Sequence, residues 1–226
     1  MQERPQRVAM VGAGYIAVEL AGVLHALGSE VSLVVRREKP LRDFDEAIQN
    51  AYVEAIGAHG PTLVSHFTPA GLEAGWGGYN LYAEDGRSLE GLDQVIWAVG
   101  RLPNTDELGL AAAGVSADER GTIPVDDWQA TNQPHIFALG DVTDNPYPLT
   151  PVAIAAGRRL ADRLWGGQGD RQLDYRDVPT VVFTHPPIGT VGLTEAQARA
   201  QYGEAVRIHE TAFVPMDYAL APAEDK

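Results

Sequence analysis

The residues that most clearly indicate a chemical role are two glycines, Gly12 and Gly14. They follow an apolar run over residues 8–11 and open an amphipathic segment over residues 14–27. This order predicts a strand, a tight turn and a helix. Gly12 would permit the turn, Gly14 would let the backbone approach a pyrophosphate, and Ala17 would still let the helix pack closely on the strand. The N–H groups that open the helix would then form an anion site. The alternative is the same turn without a ligand.

Arginines stand at the end of the next predicted strand, where an NAD site would carry an acidic residue. The strand covers residues 30–35, Arg36 and Arg37 follow it directly, and Arg42 comes shortly afterwards. Because a guanidinium group binds phosphate with paired hydrogen bonds, Arg36 and Arg42 favour NADP, with its 2′-phosphate, over NAD. The alternative is a solvated basic loop, since Glu38 stands among the arginines.

A second glycine–arginine pair follows a further predicted strand. Residues 93–99 predict a buried strand, and Gly100 and Arg101 come directly after it. Ligands of open α/β sheets bind at the carboxyl ends of the strands, so both residues are candidate cofactor contacts. The alternative is a simple chain reversal with a surface arginine.

A carboxylate ends the next candidate strand. Residues 130–143 contain a predicted buried strand that ends at Gly140 and Asp141, and a helix is predicted to begin near Leu149 and Thr150. The Asp141 carboxylate could accept hydrogen bonds from a polyol, while the start of the helix faces a phosphate or a ring carbonyl. A loop-capping aspartate is the alternative.

Alternating strands and helices must position these residues. The pattern predicts an α/β fold with a Rossmann-like domain and a small β-meander. The second helix is predicted to bury Ala47, Ile48, Ala51, Tyr52, Ala55 and Ile56. The remaining predicted elements are a helix over 45–59, a strand over 62–67, an antiparallel meander over 69–91, a strand over 179–184, a helix over 194–202 capped by Thr194, and a strand over 206–213.

Composition limits the function classes. The 226 residues hold 31 acidic and 17 basic side chains, and the net charge of -14 opposes binding to nucleic acid or to anionic membranes. No segment has the length of an apolar membrane span, and residues 1–7 lack the apolar core of a signal peptide, which predicts a soluble cytoplasmic protein. The absence of cysteine excludes disulfides and thiol nucleophiles within this chain, and we expect no metal site.

Four motifs occur together in a characteristic order, at residues 12–19, 98–101, 131–141 and 185–195. In this combination the chain resembles the flavin-dependent pyridine nucleotide disulfide oxidoreductases over essentially its whole length, and most closely the members that reduce glutathione disulfide. The resemblance implies NADPH and FAD as cofactors. It also implies an NADP-binding domain over 1–105, the C-terminal part of an FAD-binding domain over 106–171, and the start of an α+β dimerisation domain over 172–226.

The resemblance assigns roles to individual residues. Tyr15 matches the aromatic lid over the flavin, and Glu19 matches the glutamate that reaches the nicotinamide carboxamide. Asp141 matches the ligand of the ribityl chain, and Thr150 the helix end near the isoalloxazine. A core aromatic and an exposed helix glutamate are the alternatives for Tyr15 and Glu19. The predicted cofactor-binding residues are Gly12, Gly14, Tyr15, Ile16, Glu19, Arg36, Arg42, Gly100, Arg101, Gly140, Asp141, Leu149 and Thr150.

Three parts of the family's machinery are missing from the sequence. They are the glycine fingerprint for the flavin's adenosine, the redox cysteine pair and the His-Pro-Thr motif that supplies the general acid and base; His185 does not match that motif. We therefore expect an internal portion of a disulfide reductase that is homodimeric when whole, and a chain that is inactive alone. The alternatives are an NADPH-binding module without turnover, or a relative that reduces another disulfide or a metal ion.

Overall fold

The computed structural model describes residues 3–216 and residue 220, which divide into two compact units, Met1–Gly192 and Leu193–Lys226. None of the helices in these described residues is both long and apolar enough to cross a membrane. In chain order the first unit contains β1 (Arg7–Val11), α1 (Tyr15–Ala26), β2 (Glu30–Val34), α2 (Glu46–His59), β3 (Thr62–Val64), β4 (Pro69–Gly75), β5 (Gly78–Ala83), β6 (Ser88–Leu92), β7 (Gln94–Trp97), α3 (Thr150–Trp165), β8 (Thr180–Val182) and β9 (Ile188–Thr190).

A four-stranded parallel sheet forms the centre of this unit, in the order β3-β2-β1-β7. Met10 of β1 pairs with Leu33 on one side and with Ile96 on the other. Because successive side chains of a strand point to opposite faces, Met10 packs in a cluster with residues of α1 and α2, while Ala9 and Val11 pack against the other side. The predicted strand, turn and helix at the start of the chain are confirmed.

The predicted meander is confirmed as a three-stranded antiparallel sheet in the order β4-β5-β6. It covers the face of the parallel sheet opposite to the helices, where Leu81 and Phe67 join Ala9 in one buried cluster. The arrangement leaves the carboxyl ends of β1, β2 and β7 as the edge that carries the glycine and arginine motifs.

Two details of the first segment differ from the predictions. Ala47 and Ala51 of α2 are exposed, because this helix lies on the sheet through the narrower stripe of Tyr52 and Ile56. Burial raises the pKa of the Tyr52 hydroxyl above its ordinary value. The strand predicted over 93–99 is shorter and half-exposed, since β7 pairs with β1 alone among the described strands.

The strand predicted within residues 130–143 is wrong. This segment makes only the single bridges Ile123–Thr143 and Ala130–Phe137, and Asp141 lies in a short 3-10 helix, Gly140–Val142. A strand needs a neighbour for its backbone hydrogen bonds, and the described residues supply no continuous one here. A small cluster of Val115, Ile123 and Ala138 packs beneath the segment.

The second unit contains α4 (Glu195–Tyr202), a helix that begins as predicted. The Thr194 side chain accepts a hydrogen bond from the Gln197 N–H, and the Gln197 side chain accepts one from the Thr194 N–H. This reciprocal arrangement is a capping box. The strand predicted over 206–213 is wrong, because those residues have no ladder partner within the described part of the chain.

Candidate dinucleotide-binding site

The glycine turn, residues 12–14, connects β1 to α1 and requires glycine at its first position. Gly12 has φ +150°, and its N–H donates to the Val34 carbonyl at 3.0 Å. A Cβ atom on Gly12 would lie 2.3 Å from the carbonyl oxygen of Ala98 at the end of β7. Any side chain would therefore force the backbone of β7 away from β1, and the predicted role of Gly12 in the turn has a direct geometric basis.

Gly14 precedes α1 and faces open space. A Cβ atom added to Gly14 would meet nothing within 4 Å, and no side chain caps the helix here. The first hydrogen bond of the helix runs from the Val18 N–H to the Gly14 carbonyl at 3.2 Å, so the preceding N–H groups have no partner within the helix. Room and unpaired donors at a helix start are what a pyrophosphate needs, and the site fits that group. Ile16, also predicted to bind the cofactor, is half-buried in this first turn.

The arginine loop, residues 36–42, is tied directly to the glycine turn. The Leu41 N–H donates to the Ala13 carbonyl at 2.7 Å. Leu41 has φ +59° and is 2% exposed, so a leucine adopts a left-handed conformation in order to bury its side chain in the core. Together with the buried Pro40 and the hydrogen bond of 3.1 Å from the His66 N–H to the Arg37 carbonyl, these contacts hold the loop beside the glycine turn.

The arginine loop and the start of α2 enclose an open pocket of about 350 Å³. Among the described residues, the Arg36 and Arg37 side chains are exposed and have no hydrogen-bond or ion-pair partner, while the Arg42 Nε lies 3.5 Å from Asp43 Oδ1. Of the two arginines predicted to bind the 2′-phosphate, Arg42 lines the pocket, whereas Arg36 is not a lining residue and directly precedes Arg37, which is one. The lining residues are Arg37, Glu38, Lys39, Arg42, Glu46 and Gln49.

Lys39 is a pocket residue that the sequence analysis missed. Its ammonium donates to Asn50 Oδ1 at 2.6 Å and lies 3.4 Å from Glu46 Oε1. Both partners belong to α2. They follow Lys39 by seven and eleven residues in the sequence, and neither spacing predicts a contact. Only the position of Lys39 between Arg37 and Arg42 could have indicated a role.

Three predicted residues from distant parts of the chain meet at a second point. Arg101 donates through Nη1 to Asp141 Oδ2 at 2.6 Å, and its guanidinium carbon lies 6.0 Å from the centre of the Tyr15 ring. Gly100, with φ +136° and no atom within 4 Å of a built Cβ, gives the chain its direction into this contact. The structure thus brings together Tyr15, Arg101 and Asp141.

The Asp141 turn, residues 140–145, rests on α3. The Gly140 carbonyl accepts hydrogen bonds from Thr143 Oγ1 at 2.8 Å and from Asn145 Nδ2 at 2.9 Å. A Cβ atom on Gly140 would lie 3.3 Å from the Cβ of Ala153 on α3. Asn145, which the sequence analysis missed, therefore helps to fix the turn that presents Asp141.

The start of α3 is open to solvent. Leu149 precedes the helix without a side-chain cap, and Thr150, its first residue, is exposed. Pro151 has no N–H and the Val152 N–H donates to the Leu149 carbonyl at 3.0 Å, so the donor left at this helix start is the Thr150 N–H. Together with the Asp141 carboxylate it fits the polar end of a flavin.

Glu19 has a protein partner. Its Oε1 accepts a hydrogen bond from the Phe183 N–H at 2.8 Å. This bond links the residue that follows β8 to α1. This contact leaves the predicted role of Glu19 toward nicotinamide untested. No group of three or more metal-binding side chains occurs within the part of the chain that the structure covers.

Comparisons with known proteins agree with this geometry. The sequence model described as pyridine nucleotide-disulphide oxidoreductase matches residues 1–157, and that of the dimerisation domain of the same family matches residues 178–226. The chain is 44% identical over 230 residues to a glutathione reductase of Schizosaccharomyces pombe. The match covers 100% of this chain and 49% of that relative, so the chain spans about half of its length.

Solved structures give the same result. A Cu(II) complex of the HOCl-induced flavoprotein disulfide reductase RclA from Escherichia coli is similar with a TM-score of 0.81 and 30% identity, over 89% of this chain and 45% of that one. LpdA from Mycobacterium tuberculosis is similar with a TM-score of 0.79 and 27% identity, over 89% and 43%. Since the first family model alone covers more than half of the residues, the chain belongs to the pyridine nucleotide-disulphide oxidoreductase family.

Proposed function

We propose that this chain is the NADPH-handling part of an FAD-containing disulfide reductase whose substrate is glutathione disulfide. In such an enzyme NADPH would supply a hydride to the flavin, and the electrons would pass on to the disulfide form of a redox cysteine pair, which this cysteine-free chain does not hold. The 44% identity to a glutathione reductase supports this substrate. The proposal includes a cytoplasmic homodimer in redox homeostasis, with the domain limits 1–105, 106–171 and 172–226.

The observation that carries the proposal is the hydrogen bond of 2.7 Å from the Leu41 N–H to the Ala13 carbonyl. It joins two elements that are each suited to bind a phosphate group of the same ligand. The N–H groups at the start of α1 suit a pyrophosphate, and the arginine loop suits the additional phosphate that distinguishes NADPH from NADH. A dinucleotide site with both elements selects NADPH.

Each residue of the site then has a task. Gly12 and Gly14 shape the turn, and the N–H groups from Tyr15 onward hold the pyrophosphate. Arg36 and Arg42 bind the 2′-phosphate by charge-assisted hydrogen bonds. These contacts fix the phosphate-bearing end of the nucleotide. Its other end lies toward the edge of the sheet near Gly100.

The second half of the site faces the flavin. Asp141 accepts hydrogen bonds from the ribityl hydroxyls, and the start of α3 at Leu149 and Thr150 lies toward the ring. Arg101 orients the Asp141 carboxylate and lies beside Tyr15, whose ring would cover a bound flavin and would have to move aside for nicotinamide. Glu19 completes the nicotinamide end by accepting from the carboxamide through its second oxygen.

The test of cofactor preference uses calorimetry on the purified chain. We expect NADPH to bind at least about tenfold more tightly than NADH, because a charge-assisted phosphate contact contributes about 1.5–3 kcal/mol. In the variant with both Arg36→Gln and Arg42→Gln this preference for NADPH should fall about tenfold or more. An Arg120→Gln substitution, at an exposed position outside the loop, serves as the control. Equal affinities in the unsubstituted chain would contradict the proposal.

A second candidate function is NADPH binding without turnover, which the absence of cysteine favours for the chain on its own. This chain with added FAD should release no thiol from glutathione disulfide at the expense of NADPH. Thiol release coupled to NADPH oxidation would show that the chain has another electron acceptor.

A further inference from the structure

Lys39 is the most enclosed cation of the pocket beside the arginine loop. Its side chain is 23% exposed, whereas that of Arg42 is 60% exposed. Two residues of α2 hold its ammonium, Asn50 at 2.6 Å and Glu46 at 3.4 Å. An ammonium that is already fixed loses little side-chain entropy when a ligand arrives, so Lys39 is better prepared to bind an anion than the more exposed arginines around it.

The two partners of Lys39 have different consequences for its charge. Asn50 is neutral, so its short hydrogen bond orients the ammonium and leaves the positive charge intact. Glu46 is 82% exposed and its contact is long, so its carboxylate can move into solvent at little cost. Because an ammonium has three donor hydrogens, Lys39 can keep the Asn50 bond and still donate to a phosphate.

We propose that Lys39 is a further phosphate-binding residue that determines the preference for NADPH over NADH, and that Glu46 opposes the same phosphate by charge repulsion. The inference rests on the proposed function, because it takes the pocket as the 2′-phosphate site. The charges around the pocket support it: Arg37 and Arg42 line the pocket together with Lys39, and Glu46, in the first turn of α2, also lines it. The three cations attract a doubly charged phosphate, and the Glu46 carboxylate repels it.

The test compares Lys39→Gln and Glu46→Gln in the 226-residue chain. Calorimetry measures the affinity for NADPH and NADH, and for 2′,5′-ADP and 5′-AMP, which lack nicotinamide. Lys39→Gln should weaken NADPH and 2′,5′-ADP about tenfold and leave NADH and 5′-AMP within about twofold. Glu46→Gln should tighten NADPH about threefold at low salt, with a smaller gain at high salt. Glu54→Gln, at an exposed position on the same helix, should change the affinity for neither NADPH nor NADH.

Two results would overturn the inference. One is a Lys39→Gln chain that keeps the full preference for NADPH, or loses NADPH and NADH equally. The other is a Glu46→Gln chain with unchanged or weaker NADPH binding, which is informative even if Lys39→Gln fails to fold, since Glu46 is largely exposed. If the unsubstituted chain itself shows no preference, the proposed function fails together with the inference; if only the variants behave differently from expectation, the inference alone fails.

Discussion

The glycine turn and the Asp141 turn are held by very different amounts of packed structure. The glycine turn follows β1, in which Val8, Ala9 and Met10 are 0% exposed between two paired strands. The Asp141 turn is flanked by single β-bridges and rests on a small cluster of three buried residues, which keep 4–9% of their surface exposed. The comparison shows that a complete sheet positions the proposed phosphate site, whereas local hydrogen bonds and one ion pair position the proposed flavin ligand.

The largest expected difference between the two regions is in stability. Met10→Ala, in the centre of the sheet, should lower the free energy of unfolding by about 3 kcal/mol, because it leaves a cavity among close-packed residues. Ile123→Ala, in the small cluster below the Asp141 turn, should lower it by less than half as much, since that region can open without unfolding the sheet. Urea unfolding followed by circular dichroism measures both losses.

Hydrogen exchange provides the control for this pair. Amides of β1 should exchange only through global unfolding, and amides of residues 130–143 through local opening. Equal losses of stability in the two variants, together with equal protection, would show that both regions belong to one cooperative unit.

The second expected effect separates stability from binding within the glycine turn. Gly12→Ala should lower the free energy of unfolding by about 2 kcal/mol, because its Cβ would lie 2.3 Å from the Ala98 carbonyl oxygen. Gly14→Ala should cost less than about 1 kcal/mol of stability, since its Cβ meets no protein atom, yet weaken NADPH about tenfold by entering the space of the pyrophosphate. Thermal unfolding and calorimetry give the two values. A Gly14→Ala chain that binds NADPH normally would contradict the proposed position of the pyrophosphate.

The smallest expected effect concerns the ion pair that links the Asp141 turn to Arg101, which follows β7. Arg101 and Asp141 are 46% and 48% exposed, so the coupling between Arg101→Gln and Asp141→Asn should stay below about 1 kcal/mol. A double-mutant cycle on urea unfolding measures it, and raised salt should reduce it further. A coupling above about 2 kcal/mol would mean that the Asp141 turn is held as firmly as the glycine turn.

Sequence patterns were most informative where local chemistry decides the structure. The glycine turn follows from Gly12 and Gly14 themselves, and the start of α4 follows from the Thr194 capping box. Arg101 and Asp141 were each predicted separately to contact a cofactor; the structure joins them by a hydrogen bond of 2.6 Å, and their roles toward a cofactor are predictions.

Patterns were least informative where distant residues decide the outcome. Residues 130–143 and 206–213 have the composition of strands, but strand formation depends on a partner that composition does not reveal. The exposure of Ala47 and Ala51 depends on how α2 lies on the sheet. The Lys39 contact with Asn50 likewise requires the loop and the helix to be placed first, so no short-range rule could have found it.

The bond between Leu41 and Ala13 has a consequence for how cofactor preference can change. The loop is anchored through its backbone and the buried side chains of Pro40 and Leu41, while Arg36 and Arg37 are exposed. The arginines that we propose to bind the 2′-phosphate are therefore separate from the residues that hold the loop in place. Replacing the arginines by acidic residues should leave the scaffold intact, and the loop can be redesigned toward NADH without repacking the core.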